Sequence, residues 1–139
     1  AFGLHYLCIR VRSSEARRAT ANDSKFTKMV IDFDEIAEVR QMNFKGGKGP
    51  LDTRNYVDDK VKIMYSTLRP GASTGLHTHE GNCEIIFVIS GVATFHYDGQ
   101  VETCRAGQCH YCPMGHSHYM ENNTDHDLVY FAVVPEHRL

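Results

Sequence analysis

Short runs of apolar, β-branched and aromatic residues recur along the chain from residue 61 onward, separated by segments that contain Gly, Pro, Asn or Asp. Runs of this length between turn-forming residues are typical of β-strands. No stretch shows the longer apolar period of an amphipathic helix. The pattern predicts six strands: VKIMYSTL (61–68), CEIIFVIS (83–90), VATFHY (92–97), QVETC (100–104), QCHYC (108–112) and LVYFAVV (128–134).

The segments between these runs carry turn-forming residues. Asp98-Gly99 is predicted to be a two-residue hairpin turn, because both residues accept the positive φ angles that such a turn needs. Arg69-Pro70-Gly71 and Cys112-Pro113-Met114-Gly115 mark two further corners. Short strands joined in this way, with no helix between them, predict an all-β sandwich or barrel.

The segment KGGKGPLDTRNYVDD (45–59) lacks the strand pattern and is predicted to be a long loop. Its glycines could hold an anion through backbone N–H groups, although a lone GGKG is a weak signal for such a site. The favoured interpretation is a flexible surface loop.

Composition limits the function classes. A chain of 139 residues, 42% apolar and 23% charged, suits one globular domain with a sizeable core. The formal net charge is −2 and no basic stretch is interleaved with aromatic residues, so no nucleic-acid partner is expected. The apolar runs are far shorter than the roughly 20 residues that span a bilayer, so no membrane partner is expected either.

The cysteines bear on the compartment. There are five, an odd number, in a domain of ordinary size. This argues for reduced thiols rather than a disulfide framework, and it predicts residence in the cytoplasm.

Residues 1–28 differ in composition from the rest of the chain, with six Arg or Lys residues against two acidic ones. The apolar stretch AFGLHYLCI precedes the basic residues, which is the reverse of the order in a secretory signal. We predict that residues 1–28 form an N-terminal arm or an added leader, followed by a single domain at residues 29–139. The alternation in HYLCIRV would let the arm add a strand to a sheet.

Two histidines and a glutamate interrupt the strand pattern in GLHTHEGNCEIIFVISG (75–91). Successive side chains of a strand point to opposite faces, so His77 and His79 share a face and can present two imidazole nitrogens to one point. Glu84 begins the next strand, and a corner before it would bring its carboxylate alongside them. Imidazole and carboxylate together suit Zn, Fe, Mn, Ni or Cu.

A second pair of histidines, His116 and His118, follows the turn at Pro113-Met114-Gly115 and also shares a face. A fourth ligand from this segment would leave positions on the metal open for water or substrate. A cluster satisfied by hydrogen bonds alone is the structural alternative to a metal site.

Two longer patterns enclose these residues and resemble the paired motifs of the cupin superfamily. They are Gly71-x5-His77-x-His79-x4-Glu84-x6-Gly91 and Gly107-x5-Pro113-x-Gly115-x2-His118-x3-Asn122. Both match at every defined position, and the 15 residues between Gly91 and Gly107 equal the short spacer of small microbial cupins. The resemblance covers about residues 61–134, and NFKGGKGPL resembles a leader found in small bacterial single-domain cupins.

The resemblance implies a double-stranded β-helix, also called a jelly-roll β-barrel, in a cupin of type 2. It implies one divalent transition metal ion, Zn, Mn, Fe or Ni, bound by His77, His79, Glu84 and His118. His116 lies in the variable part of the second motif and inherits no role. Cupins that resemble this chain commonly pair, so a homodimer is expected.

The resemblance leaves the reaction open, because cupins include isomerases, epimerases, decarboxylases, dioxygenases, lyases and binding modules. A metal beside a dry cavity can polarise a carbonyl or enol oxygen of a small-molecule substrate. We expect an isomerase or lyase that acts on a small sugar or hydroxy acid through an enediolate. The alternatives are a metal-dependent dioxygenase and a non-catalytic small-molecule-binding cupin.

The remaining reactive side chains have structural interpretations. Cys109 and Cys112 form a lone C-x2-C whose members face opposite sides of a strand, which argues against a zinc or redox site. His96 and His110 are predicted to be hydrogen-bonded residues of the sheet. Four tyrosines are expected in the core or at its rim: Tyr65, Tyr97, Tyr119 and Tyr130.

Overall fold

The computed structural model describes residues 29–137, and strands dominate this part of the chain. The strands are β1 (Val39–Met42), β2 (Pro50–Val57), β3 (Val61–Leu68), β4 (His77–Thr78), β5 (Glu84–Ser90), β6 (Val92–Tyr97), β7 (Gln100–Arg105), β8 (Cys109–Cys112), β9 (Ser117–Glu121) and β10 (Leu128–Pro135). Two one-turn 3-10 helices, Phe33–Glu35 and Phe44–Gly46, complete the described elements. No helix within residues 29–137 is long and apolar enough to cross a membrane.

The strands form two antiparallel sheets. One sheet has six strands in the order β1-β2-β3-β10-β5-β8, and the other has four in the order β4-β9-β6-β7. A single core cluster joins Leu68, Val88 and Leu128 of the first sheet to Phe95 and Met120 of the second. The sheets therefore pack face to face, and the predicted all-β double-stranded β-helix is confirmed.

The predicted strands coincide closely with the observed ones. The runs at 61–68 and 92–97 are β3 and β6 with the same ends, and the other four differ by one residue at one end. The hairpin turn between β6 and β7 has φ angles of 46° at Asp98 and 79° at Gly99, as that turn type requires. Apolar alternation was thus sufficient to locate these six strands.

The prediction of a long loop at residues 45–59 is wrong for most of its length. Pro50–Val57 is strand β2, which pairs with both β1 and β3. This strand was not predicted because polar residues interrupt its apolar pattern. A polar residue on its inner side has a hydrogen-bond partner, since Thr53 Oγ1 lies 2.7 Å from Ser66 Oγ. Pro50 occupies the first position of the strand, where a missing N–H is tolerated. Strands β1 and β9 were also not predicted.

The predicted boundary at residue 28 and the arm before it lie outside the described residues. Cys8 lies there too. The other four cysteines, Cys83, Cys104, Cys109 and Cys112, are free thiols.

A buried carboxylate ties the first three strands together. Asp52 in β2 is 2% exposed and accepts hydrogen bonds from Arg40 Nε at 2.7 Å and from Arg40 Nη2 at 2.9 Å. Arg69, which follows β3, donates a third hydrogen bond from Nε at 2.7 Å. The hydrogen bonds from Arg40 lower the pKa of Asp52 to about 2, although burial acts in the opposite direction. The carboxylate is therefore ionised in the folded protein, with two guanidinium partners.

Asp52→Asn should destabilise the fold, because the amide keeps the shape of the carboxyl group but leaves two guanidinium groups without their charge partner. We expect the free energy of unfolding, measured by urea denaturation at neutral pH, to fall by about 2 kcal/mol. The folded-state pKa of Asp52 lies below its ordinary value of 3.8, so its contribution is present above that value and is lost as the pH falls through about 2. The difference between variant and wild type should shrink accordingly in acid.

Asp127→Asn is the matched control. Asp127 also pairs with Arg69, at 2.7 Å, but its side chain is 43% exposed. Its replacement should cost no more than about 1 kcal/mol, as for other surface pairs. Equal losses in the two variants would contradict the special role of Asp52.

Candidate metal centre

Four polar side chains converge between the two sheets. His77 lies in β4 directly opposite His118 in β9, and His79 follows β4. Glu84 is the first residue of β5 in the other sheet. The chain therefore crosses from one sheet to the other between β4 and β5, and this corner places the Glu84 carboxylate beside the two histidines. The convergence expected from the sequence is present, and His118 rather than His116 is the fourth member.

The distances within the cluster are short. His118 Nε2 lies 3.1 Å from His77 Nε2, 3.1 Å from His79 Nε2 and 2.9 Å from Glu84 Oε2. Glu84 Oε2 lies 3.2 Å from His79 Nε2 and 3.5 Å from His77 Nε2. The four candidate ligand atoms all lie within 4.8 Å of one another.

The opposite ring nitrogens fix how two of the histidines are protonated. His77 Nδ1 lies 2.8 Å from the carbonyl oxygen of Gly75, and His79 Nδ1 lies 2.6 Å from Asn82 Oδ1. Because these oxygens can only accept, each Nδ1 carries the proton and donates it. When such a ring is neutral, the lone pair of its Nε2 faces the centre of the cluster and is available to a metal ion.

This donor set fits a metal ion. Three imidazole nitrogens and a carboxylate oxygen face one point, and lone pairs at such spacing repel each other unless a cation or protons lie between them. Two ligands bound to one ion at about 2.0–2.2 Å are themselves separated by about 3 Å, which is the spacing found here. The group could therefore hold a metal ion, while its assignment as a metal site stays a prediction.

The charge state of the cluster also suits a cation. Burial raises the pKa of Glu84, but hydrogen bonds with His118, His77 and His79 outweigh it and hold that pKa well below its ordinary value. Burial lowers the pKa of His118, against the opposing effect of the Glu84 carboxylate. The hydrogen bond with Glu84 raises the pKa of His79. The ionised Glu84 carboxylate therefore acts to raise the pKa of both histidines, and its negative charge would attract a metal ion in the same way.

The cluster opens onto a cavity of about 440 Å³. Lys45 and Lys62 line this cavity, and their Nζ atoms lie 5.7 and 5.9 Å from the centroid of the Phe44 ring. Partial burial lowers the pKa of Lys45, the Glu84 charge raises it and Lys62 lowers it. The two ammonium groups therefore repel each other, and the Glu84 carboxylate attracts that of Lys45.

Backbone contact explains why Phe44 and Lys45 lie beside the cluster. A Cβ atom on Gly47 would lie 2.2 Å from the Ser73 oxygen, and one on Gly75 would lie 1.8 Å from the Lys45 oxygen. The Gly75 N–H also donates a hydrogen bond of 2.9 Å to the Phe44 oxygen. The two glycines let the turn at residues 44–47 pack directly against the segment that leads into His77, so this turn is part of the site.

The other histidines named from the sequence lie outside the cluster. His96 Nε2 pairs with Glu121 at 2.8 Å, as expected for a hydrogen-bonded sheet residue. His116 contacts Asp98, and its Nδ1 lies 3.0 Å from the Tyr97 hydroxyl. His110 is hydrogen-bonded too, but one of its partners is His118.

Cys109 and Cys112 face opposite sides of β8, since Cys109 is exposed and Cys112 is buried. The prediction of a divided pair is confirmed. Burial raises the pKa of the Cys112 thiol to about 11, so this thiol is protonated at neutral pH. Of the four tyrosines, Tyr130 is buried in the core, while Tyr65, Tyr97 and Tyr119 are partly exposed.

Sequence reasoning missed Lys45, Lys62 and the contact between His110 and His118. Lys45 was placed in a flexible loop, and Lys62 is one of several charged residues in its neighbourhood. A signal existed for His110, because it shares the face of β8 with Cys112 and therefore points inward with it. A histidine that faces the core close to a strand carrying a predicted metal ligand is a candidate for contact with that ligand.

Comparison with known proteins identifies relatives. Residues 64–134 match the family model described as Cupin domain. An oxalate-binding protein of Thermotoga maritima is 34% identical over 114 residues, which cover 78% of this chain and 94% of that protein. The crystal structure of a predicted oxalate decarboxylase from Thermotoga maritima has a TM-score of 0.73 at 33% identity and covers 78% of this chain and 99% of that one.

A more distant structure shares the fold. It is a sugar phosphate isomerase of the cupin superfamily from Silicibacter pomeroyi, with a TM-score of 0.65 and 20% identity, covering 77% of this chain and 75% of that one. At this level of identity the likeness concerns the fold alone.

Replacing a candidate ligand tests the cluster. We expect His77→Ala and His118→Ala to contain well below one metal ion per chain, measured by elemental analysis after purification without a metal-affinity step, because each lacks one of four ligands. His77→Ala should still unfold cooperatively, since it removes little core volume. His126→Ala, which replaces an 80% exposed side chain, is the control and should match wild type. Full metal content in both ligand variants would refute the assignment.

Proposed function

The chain belongs to the cupin family, and we propose that it binds a small carboxylate dianion of the oxalate class on a divalent metal ion held by His77, His79, Glu84 and His118. The observation that carries the proposal is the pair of lysines, Lys45 and Lys62, in the cavity that three of the four candidate ligands also line, His77, His79 and Glu84. A metal ion and two ammonium groups in one cavity suit an anion with two charged ends.

The donor set supports the metal part of the proposal. Three neutral imidazoles and one carboxylate suit Zn, Mn, Fe or Ni and leave coordination positions free for a ligand. A bound divalent ion would act as a Lewis acid toward a carboxylate oxygen. Elemental analysis of the protein as purified identifies the ion.

The charges of the cavity support the anionic ligand. Glu80 and Glu136 also line it, but Glu136 accepts a hydrogen bond from Asn82 Nδ2 at 3.3 Å. With a divalent ion in place, the positive charges of the cavity outnumber the negative ones even when Glu80, Glu84 and Glu136 are all counted.

The relatives support the ligand class. One is named an oxalate-binding protein and another a predicted oxalate decarboxylase, and this chain covers more than nine tenths of each. We extend that chemistry to this chain because oxalate carries two carboxylates and suits a cavity that contains two ammonium groups beside a candidate metal site.

Decarboxylation of the bound ligand is the second candidate function. Oxalate that loses one carboxyl group as CO₂ needs a single proton to become formate, and Lys45 is a titratable group in the cavity with a lowered pKa. This reaction belongs to the lyases, the class expected from the sequence alongside isomerases. Isomerisation of a sugar or hydroxy acid and dioxygenation stay predictions.

Oxalate binding is measured by calorimetry on protein loaded with the ion that elemental analysis identifies. Lys62→Met should weaken oxalate binding by about tenfold or more, because a charge-assisted hydrogen bond contributes roughly 1.5–3 kcal/mol, and it should leave metal content unchanged. Lys60→Met is the matched control, since Lys60 is 69% exposed and pairs with Asp59. Release of formate from oxalate, followed over time, separates the decarboxylase from the binder.

Two results would reject this ligand class. One is oxalate affinity that does not change when the metal is removed with a chelator. The other is equal affinity in Lys62→Met and Lys60→Met.

The homodimer stays a proposal, and the outer face of the six-stranded sheet is its candidate interface. Ile85, Phe87 and Ile89 of β5 are 39%, 42% and 40% exposed, and Tyr111 of β8 is 54% exposed. Their outward neighbours on β10, Val129, Phe131 and Val133, are uncharged as well. These seven residues of β5, β8 and β10 are all uncharged, and an apolar patch of this kind suits pairing with a second copy about a two-fold axis.

Phe87→Glu should convert the dimer to a monomer in analytical ultracentrifugation, because four carboxylate oxygens would be buried near the two-fold axis. Val101→Glu is the control, since Val101 is 63% exposed on β7 of the other sheet. A wild-type monomer, or a Phe87→Glu variant that sediments as wild type does, would exclude this interface. Cytoplasmic residence and the expected lack of nucleic-acid and membrane partners stay predictions from composition.

A further inference from the structure

A chain of hydrogen bonds runs from the candidate ligand His118 to the surface. His118 Nδ1 lies 3.0 Å from His110 Nε2, and His110 Nδ1 lies 2.7 Å from Glu102 Oε1. The side chain of His110 is 2% exposed, whereas that of Glu102 is 56% exposed. The chain therefore begins at the cluster, crosses the core through one buried imidazole and ends at a carboxylate in contact with solvent.

The protons of this chain have one consistent arrangement when His118 uses Nε2 as a ligand atom. The proton of the neutral His118 ring must then be on Nδ1, from which it is donated to His110 Nε2. Accepting at Nε2 places the proton of the neutral His110 ring on Nδ1, from which it is donated to the Glu102 carboxylate. Every nitrogen and oxygen in the chain has the partner that this direction requires.

His110 is held rigidly in this position. Its ring stacks on Phe95 with a centroid distance of 3.9 Å and an interplanar angle of 12°. It belongs to β8 of the six-stranded sheet, whereas Glu102 in β7 and His118 in β9 belong to the four-stranded sheet. His110 thus spans the space between the sheets, where a free rotation would break both hydrogen bonds.

We propose that His110 and Glu102 are positioning residues that fix the orientation and tautomer of His118 and thereby set the affinity for the metal ion. The inference rests on the metal-binding part of the proposed function. His77 donates to the carbonyl oxygen of Gly75, and His79 donates to the amide of Asn82, whose Nδ2 donates a longer hydrogen bond of 3.3 Å to Glu136. His118 differs because it is linked to the Glu102 carboxylate through a second imidazole, at 3.0 and 2.7 Å. A carboxylate behind an imidazole increases the basicity of its ligand nitrogen, here through one intervening ring.

Zn²⁺ affinity, measured by competition with a chromogenic chelator, tests the proposal on the full chain. His110→Phe keeps the stacking on Phe95 and removes both hydrogen bonds, so it should weaken Zn²⁺ binding by about 10- to 100-fold. His110→Gln retains an oxygen that accepts from His118 Nδ1 and should recover part of the loss. Glu102→Gln should weaken binding in the same direction by less. The absorption bands of the Co²⁺-loaded protein should shift in His110→Phe, because they report the ligand field and not the stability of the fold.

The pair His96 and Glu121 supplies the matched control. In the four-stranded sheet, His96 Nε2 lies 2.8 Å from Glu121 Oε2, and the His96 ring stacks on Tyr119 at 4.2 Å. Neither residue of the pair belongs to the cluster. Glu121→Gln should leave Zn²⁺ affinity and the Co²⁺ spectrum unchanged. An equal loss in Glu121→Gln and Glu102→Gln would overturn the proposal.

The remaining outcomes are also decisive. Wild-type Zn²⁺ affinity in a folded His110→Phe variant would overturn the positioning role while leaving the metal site intact. If His110→Phe does not fold, Glu102→Gln decides, because its exposed carboxylate can be replaced without disturbing the core, and unchanged affinity there overturns the proposal. A wild-type protein that binds neither Zn²⁺ nor Co²⁺ would overturn the proposed function itself.

Discussion

His77 Nε2 and His79 Nε2 each lie 3.1 Å from His118 Nε2, and lone pairs at this spacing repel each other unless a cation or protons lie between them. A metal ion in that place would bind all three Nε2 atoms. Each ring must then carry its proton on the opposite nitrogen, and that proton needs an acceptor inside the protein. The acceptors are the Gly75 oxygen, Asn82 Oδ1 and His110 Nε2. Much of the local structure between the sheets can be understood as the means of placing these three acceptors.

Gly75 shows how tightly this requirement is coupled to the cavity. Its carbonyl oxygen accepts the proton of His77, and its missing side chain leaves room for the Lys45 oxygen. A larger residue at this position would push away the turn that carries Phe44 and Lys45, and it would disturb the backbone that orients His77. The orientation of one candidate ligand and the position of one candidate ligand-binding lysine therefore depend on the same glycine.

The parts of the fold that the sequence predicted are those in which a local pattern is sufficient. β3 and β6 have one buried face each, and their alternation places their ends correctly. β2 was missed because Asp52 and Thr53 are buried only with partners that lie far along the chain, Arg40, Arg69 and Ser66. A window of ten residues does not contain these partners, so the local sequence gives no sign that the two polar side chains can be buried.

The same distinction separates the two sides of the site. The four candidate metal ligands belong to two sequence motifs with fixed spacing, so the motifs were enough to name them. Lys45, Lys62, Glu102 and His110 occupy positions that the motifs leave undefined, and the fold alone brings them to the cluster. Substitutions on the cavity side or on the inner side would therefore change the surroundings of the cluster without altering either motif. A shared metal-binding pattern therefore leaves the chemistry of a cupin open, and in the function proposed for this chain the lysines of the cavity, rather than the motifs, select the ligand.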